Sequence, residues 1–311
     1  MSGSGRALHS GMRALLALTL ACSLPGTALA QDAEAASCEL EPPSAVPVRV
    51  VEDLVYAHIG GAPRHFDVAR LADEVRRPAV VLIHGGGWAA GRRELTHSAM
   101  RAIASHGYVA VSVEYRLARS TRTRFPAAVS DVRCAVRRLR ADAERHGIDP
   151  DRIAAVGFSA GGHLAAMLAV AADVSELDDG SCPVGGVEPR VRGAVAWYAP
   201  FDLRTAERPR WARVVGDFLG APPDQAPERA ALASPIVHVS EGDAPLLMIH
   251  GTNDPIVSIE EARAMLAPLR AARVPAQLLE VPNAGHGFIF ASARYRAAAC
   301  STLAALDDWL R

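Results

Sequence analysis

Two segments of this chain, AVVLIH at 79–84 and VAVSVEY at 109–115, are apolar or β-branched runs in which apolar and polar residues do not alternate. A strand that buries one face is polar at every second position. A strand without that pattern belongs in a sheet covered on both sides, the usual surroundings of parallel strands. Strands are expected near 48–56, 65–69, 79–84, 108–115, 153–157, 191–198, 245–250 and 277–281, with helices near 92–106, 127–146, 160–172, 258–272 and 293–310. Alternation of this kind implies right-handed crossovers and a mostly parallel sheet of about eight strands with helices on both faces. The first two strands have no helix between them and should form an antiparallel edge. Two stretches interrupt the rhythm: a polar loop at 172–190, and residues 200–239 after the sixth strand, which are expected to form a small lid or substrate wall.

The 311 residues are 50% hydrophobic and 22% charged, with a net charge of -1, and all 33 basic residues are arginine. A near-neutral chain is a poor electrostatic partner for nucleic acid. Without lysine it also lacks the residue that a P-loop places on phosphates. At the N-terminus, Arg6 and Arg13 precede a short apolar run, ALLALTLACSL, and Ala28-Leu29-Ala30 forms a small-x-small site. This reads as an export signal over residues 1–30, cleaved near Ala30, with residues 31–311 as one α/β domain that is periplasmic or secreted. An eleven-residue run is too short for stable membrane insertion, which needs ~20 residues. Cys38, Cys134, Cys182 and Cys300 would then meet an oxidising compartment; Cys134–Cys182 is the favoured pair, with buried free thiols as the alternative. Their spacing does not suit a metal site, and no cofactor is expected.

The chemistry concentrates in glycine-rich turns after strands. Gly157-Phe158-Ser159-Ala160-Gly161-Gly162 joins a buried strand to the helix HLAAMLAVAA. A serine on so sharp a turn is strained, glycines two residues before and two after it remove clashing side chains, and its hydroxyl stands exposed above a helix N-terminus. Ser159 is therefore the candidate nucleophile. His84-Gly85-Gly86-Gly87-Trp88 follows the third strand, and its unshielded N–H groups suit a developing oxyanion, where each fixed donor is worth ~3–4 kcal/mol. Gly86 and Gly87, with Ala160, are the candidate oxyanion donors, and His84 is expected to orient the loop. Of 11 histidines, His286 in Asn283-Ala284-Gly285-His286-Gly287 lies in a loop after the last strand and is the candidate base. Asp254 and Asp202 each leave a strand C-terminus and compete as the acid; Asp254, followed by Pro255, is preferred.

The motifs HGGGWAAG, VSVEYRLA, FPAAVSDV, GIDPDRIAAVGFSAGGHLAA, ASPIVHVS, GTNDPIV and NAGHGF run in this order along residues 45–311. In them the sequence resembles the α/β-hydrolase superfamily, and within it feruloyl and acetyl-xylan esterase-like and hormone-sensitive-lipase-like carboxylesterases. The resemblance implies an α/β-hydrolase fold, a triad of Ser159, Asp254 and His286, and scaffold roles for Tyr115, Arg116 and Asp131. The chain departs from the lipase-like branch, which usually carries a longer N-terminal helical cap, in having only Gln31–Ala45 between the signal and the first strand, and in Leu117-Ala118-Arg119-Ser120 where Pro-Glu is typical. The expected activity is hydrolysis of small-molecule or carbohydrate esters with acetyl- or feruloyl-type acyl groups. An arylformamidase is the alternative enzyme, and an inactive binding protein of the same fold is the alternative outside catalysis.

Overall fold

The computed structural model describes residues 38–40, 46–206 and 208–311; the signal-like segment lies outside them. A glycine pair at positive φ, Gly60-Gly61, turns β1 (Val48–Ile59) back on β2 (Ala62–Leu71) as an antiparallel hairpin. Then come β3 (Arg77–Ile83), β4 (Val109–Val113), β5 (Ile148–Phe158), β6 (Ala194–Trp197), β7 (Leu246–Gly251) and β8 (Ala276–Val281). They form one sheet in the order β1-β2-β4-β3-β5-β6-β7-β8. β2 meets β4 antiparallel, and every pairing from β4 to β8 is parallel. This is the α/β-hydrolase arrangement, with the expected eight strands and antiparallel edge.

The connecting helices are α1 (His97–Ser105), α2 (Ala127–Ala141), α3 (Ala143–His146), α4 (Ala160–Val170), α5 (Pro209–Leu219), α6 (Pro227–Leu232), α7 (Pro235–His238), α8 (Ile259–Ala271) and α9 (Arg296–Leu310). The single helix expected over 127–146 is split at Asp142, and Gly147 ends the second piece in the left-handed region. The unalternated strand pattern has its cause in the two cores. On β3, Val81 and Ile83 pack toward α2, α4 and α8, while Val80 and Leu82 pack toward α1 and α9. Every residue of α4 is buried, since it is wedged between the sheet and neighbouring helices, so its sequence is apolar apart from His163.

Two disulfides tie the periphery to this frame. Cys134 of α2 joins Cys182, the favoured pair, and Cys38 joins Cys300 of α9. The 172–190 loop is further fixed by Asp178, whose carboxylate accepts hydrogen bonds from both Arg133 and Arg137 of α2 at 2.7–2.9 Å. Among the described residues no helix is long and apolar enough to cross a membrane. Thiol titration of the denatured chain from residue 31 onward should find no free cysteine before reduction. After reduction it should find all of Cys38, Cys134, Cys182 and Cys300.

Candidate active site

The site forms at the C-terminal edge of β3, β5, β7 and β8. Ser159, between β5 and α4, has φ 55° and ψ -119°, a left-handed-side conformation costing a non-glycine residue about 1–3 kcal/mol. Close packing holds it there. A Cβ on Gly157 would strike the carbonyl of Gly161, and one on Gly161 would strike the carbonyl of Ile83 at the end of β3. A Cβ on Gly85 would lie 2.7 Å from the Phe158 carbonyl. The serine turn and the glycine loop after β3 therefore touch backbone to backbone, and the Ser159 N–H donates to Trp197 O at 2.8 Å, locking the turn to β6.

In the loop after β3, Gly86 and Gly87 have φ values of 120° and 57°. Their N–H groups, and that of Ala160, donate to no protein acceptor among the described residues. Gly86 and Gly87 line the same cleft as Ser159 and His286, so their free donors are available to an oxygen beside the serine. His84 underlies the loop: its Nδ1–H donates to Gly85 O at 2.7 Å, its ring stacks on Tyr115, and Tyr115 donates its hydroxyl to the His84 carbonyl. Arg116 grips Asp131 through a forked pair of hydrogen bonds behind that tyrosine. Tyr115, Arg116 and Asp131 thus sit behind the loop, as scaffold would.

The two remaining loops are registered by their backbones. Asn253 N–H donates to Ala284 O at 3.0 Å, and a Cβ on Gly251 would strike that same carbonyl. This closeness brings His286 to Asp254. Ser159 Oγ–H donates to His286 Nε2 at 2.8 Å, and His286 Nδ1–H donates to Asp254 Oδ2 at 2.7 Å. Asp202 stands apart, with both its oxygens held by Arg204. Burial by itself would raise the Asp254 carboxyl. Hydrogen bonds from His250 and His286, and from the N–H groups of Ile256 and Val257, outweigh it and hold the carboxyl well below the usual range. Asp254 therefore stays ionised and fixes the imidazole with Nε2 free to accept.

His250 has no role in the sequence reading. Its Nε2–H is shared between Val257 O at 3.1 Å and Asp254 Oδ2 at 3.3 Å, so a second histidine steadies the carboxylate. Its one sequence signal is its place at the end of β7, four residues before Asp254. The link from the glycine loop to the 200–239 insertion is also invisible in sequence. Trp88 Nε1–H donates to His163 Nδ1 at 3.2 Å, His163 Nε2–H donates to Ala233 O at 2.7 Å, and the Trp88 ring stacks on Phe218. The insertion, carrying α5, α6 and α7, forms one wall of a cleft of about 850 Å³ through Trp211 and Val214, facing Phe158, Phe288 and Phe290. Arg208 at the start of α5 donates to Asp254 O at 3.1 Å.

Two tests of this frame follow. Gly161→Ala should lower stability by about 1–3 kcal/mol in urea unfolding, because the neighbouring backbone cannot yield. Gly185→Ala, where nothing lies within 4 Å, should be near neutral. Burial depresses the His163 imidazole to about 4 from 6.5. The unfolded chain takes up that proton near 6.5 and the folded chain only near 4. The ring's contribution is complete above that window and is lost as pH falls through it, by about 3 kcal/mol in all. Unfolding free energy measured from pH 7 to pH 4 should fall less in His163→Gln than in the parent.

Comparison with known proteins bears on the family and the fold. The family model described as BD-FAE matches residues 69–269. Over 71% of its length the chain is 36% identical to esterase LipC of Mycobacterium tuberculosis, of which it covers 56%. Over 85% of its length it is 31% identical to the probable carboxylic ester hydrolase LipM of the same organism, covering 62% of that protein. The chain thus spans less than two thirds of either relative. An esterase of Thermogutta terrifontis, Est2, solved with butyrate bound, superposes with a TM-score of 0.67 at 26% identity, over 85% of this chain and 92% of that one. With its eight-stranded sheet and a match covering most of its length, the chain belongs to the BD-FAE family within the α/β-hydrolase superfamily.

Proposed function

We propose that this protein is an exported serine-dependent carboxylic ester hydrolase acting on esters of small or aryl acids, acetyl or feruloyl in type, including esters borne on carbohydrate. The observation that carries this reading is the unbroken relay from Ser159 through His286 to Asp254, beside N–H groups that no acceptor among the described residues occupies. In the reaction, Ser159 Oγ attacks the ester carbonyl while His286 Nε2 takes its proton. The carbonyl oxygen becomes negative against the N–H groups of Gly86, Gly87 and Ala160. Collapse expels the alcohol, which leaves with the proton from His286. Water, activated by the same histidine, then attacks the acyl-enzyme, and the acid departs as Ser159 recovers its proton. Asp254 stabilises the imidazolium in both halves and stays ionised throughout.

The aromatic walls of the cleft, from Phe158, Trp211, Phe288 and Phe290, favour a compact acyl group or a flat aryl acid. The butyrate seen in the Thermogutta terrifontis esterase supports a short acyl chain. Export is supported by the signal-like N-terminus and by the two disulfides, which persist in oxidising compartments.

Hydrolysis of 4-nitrophenyl acetate, butyrate and octanoate, methyl ferulate, an acetylated xylo-oligosaccharide and N-formylkynurenine tests the reading. Turnover should favour the short or feruloyl esters. Ser159→Ala should lose several orders of magnitude in kcat, and Asp254→Asn roughly 10⁴-fold through the wrong imidazole tautomer. Asp202→Asn, which breaks only the pair with Arg204, should stay within about threefold of the parent. Preference for the formamide would move the protein to amide hydrolysis.

A further inference from the structure

We propose that Tyr198 is a positioning residue for His286: its ring, set against the imidazole, holds the base over Ser159. This rests on the esterase reading above and adds a residue to that same site.

The imidazole needs such a support. Hydrogen bonds to Asp254 Oδ2 and Ser159 Oγ act at its two nitrogens, and both weaken steeply if the ring swings out of line. Its own loop does little to prevent that. A Cβ on Gly287, which follows the histidine at φ 78°, would have no neighbour within 4 Å, and one on Gly285 would come no nearer than 3.9 Å to Pro255.

Tyr198, the first residue beyond β6, supplies the missing contact. Its ring centroid lies 5.0 Å from that of His286, with the two planes at 65°. Its hydroxyl donates to Phe288 O at 3.3 Å, two residues past the histidine, and its ring lies 4.9 Å from that of Phe288. The same residue is tied to the other two partners of the relay. Its N–H donates to Ile249 O of β7, the strand that leads to Asp254, at 2.7 Å. The carbonyl just before it, Trp197 O, accepts the Ser159 N–H. Tyr198 thus stands where the nucleophile turn, the strand before the acid and the histidine loop converge.

Its backbone carries a second, independent sign. Tyr198 has φ 40°, a region that a bulky residue seldom adopts, although it is only 6% exposed and lines the cleft. Strain of this kind persists only where the surroundings enforce it, and it gathers at functional sites. A tyrosine serving the core alone has no need of a left-handed backbone at the edge of a cleft. Burial, with the Asp254 carboxylate nearby, pushes the phenol up, so at neutral pH it stays protonated and keeps its bond to Phe288 O.

Turnover of 4-nitrophenyl acetate by the whole protein tests the assignment. Tyr198→Leu, which removes the aromatic ring, should lose roughly 10–100-fold in kcat with KM within about threefold. Tyr198→Phe, which keeps the ring, should recover most of that loss. In proton NMR, the low-field resonance of His286 Nδ1–H, assigned by its disappearance in His286→Gln, should be sharp in the parent and in Tyr198→Phe. It should broaden in Tyr198→Leu. A leucine variant that keeps its kcat, a loss carried in KM, a phenylalanine variant as impaired as the leucine one, or an unchanged resonance would each overturn the role. Should Tyr198→Leu not fold, nuclear Overhauser contacts between the two rings of the parent decide. Contacts that persist as His286 titrates uphold the assignment, and their absence refutes it. A parent inactive on every ester would strike the esterase reading instead, and the resonance and ring contacts would still decide whether Tyr198 holds His286.

Discussion

The architecture of this protein turns on one backbone contact, between the turn that carries Ser159 and the end of β3. Gly161 lies so close to the carbonyls of Ile83 and His84 that no Cβ fits, and Gly85 in turn lies against the Phe158 carbonyl. This contact sets Ser159 beside the N–H groups of the glycine loop, although the two segments are far apart in the chain. It also sustains the unfavourable dihedrals of Ser159, because the turn cannot relax without driving one backbone into another. Parallel pairing of β3 with β5 places both segments at the same edge of the sheet, and the glycines allow them to meet there.

The charged partners of the site follow a similar economy of position. Asp254 is buried beside two histidines and receives four hydrogen-bond donors in all, two from imidazoles and two from the backbone. A carboxylate so surrounded remains ionised in spite of its burial and orients His286 with little freedom. The glycine loop has its own brace on the opposite side, where Tyr115 and His84 stack above the Arg116–Asp131 pair. Trp88, at the loop's end, reaches into the insertion through His163 and Phe218. The glycine loop and the insertion are therefore joined through Trp88 and His163.

Much of this was legible in the sequence, and the reason differs between elements. The strands over 79–84 and 109–115 could be read because burial on both faces leaves mostly apolar residues on either side of the sheet, a local signature. Ser159, Gly86 and Gly87 could be read because their backbone conformations demand glycine in a fixed order around one side chain. His286 and Asp254 were reached by their places after the last strands, with Pro255 favouring Asp254 over Asp202. His250 and His163 were not reached. Both lie within regular elements, where a histidine on an apolar face looks like any other core residue. The Cys38–Cys300 bond was also beyond reach, because four cysteines allow three pairings and spacing does not select among them.

The sequence by itself determined the fold class, the strand order of burial and the identity of the serine turn, because each leaves a periodic or glycine-dependent trace along neighbouring residues. Only the tertiary structure decided which acid faces His286, what fixes the acid, and what forms the wall of the cleft. Those outcomes depend on contacts between segments far apart in the chain. The Asn253–Ala284 hydrogen bond and the burial of Trp211 against Trp88 exist only once the sheet has brought their loops together. A one-dimensional pattern records the conformation each segment requires; it does not record which distant side chain will be waiting beside it.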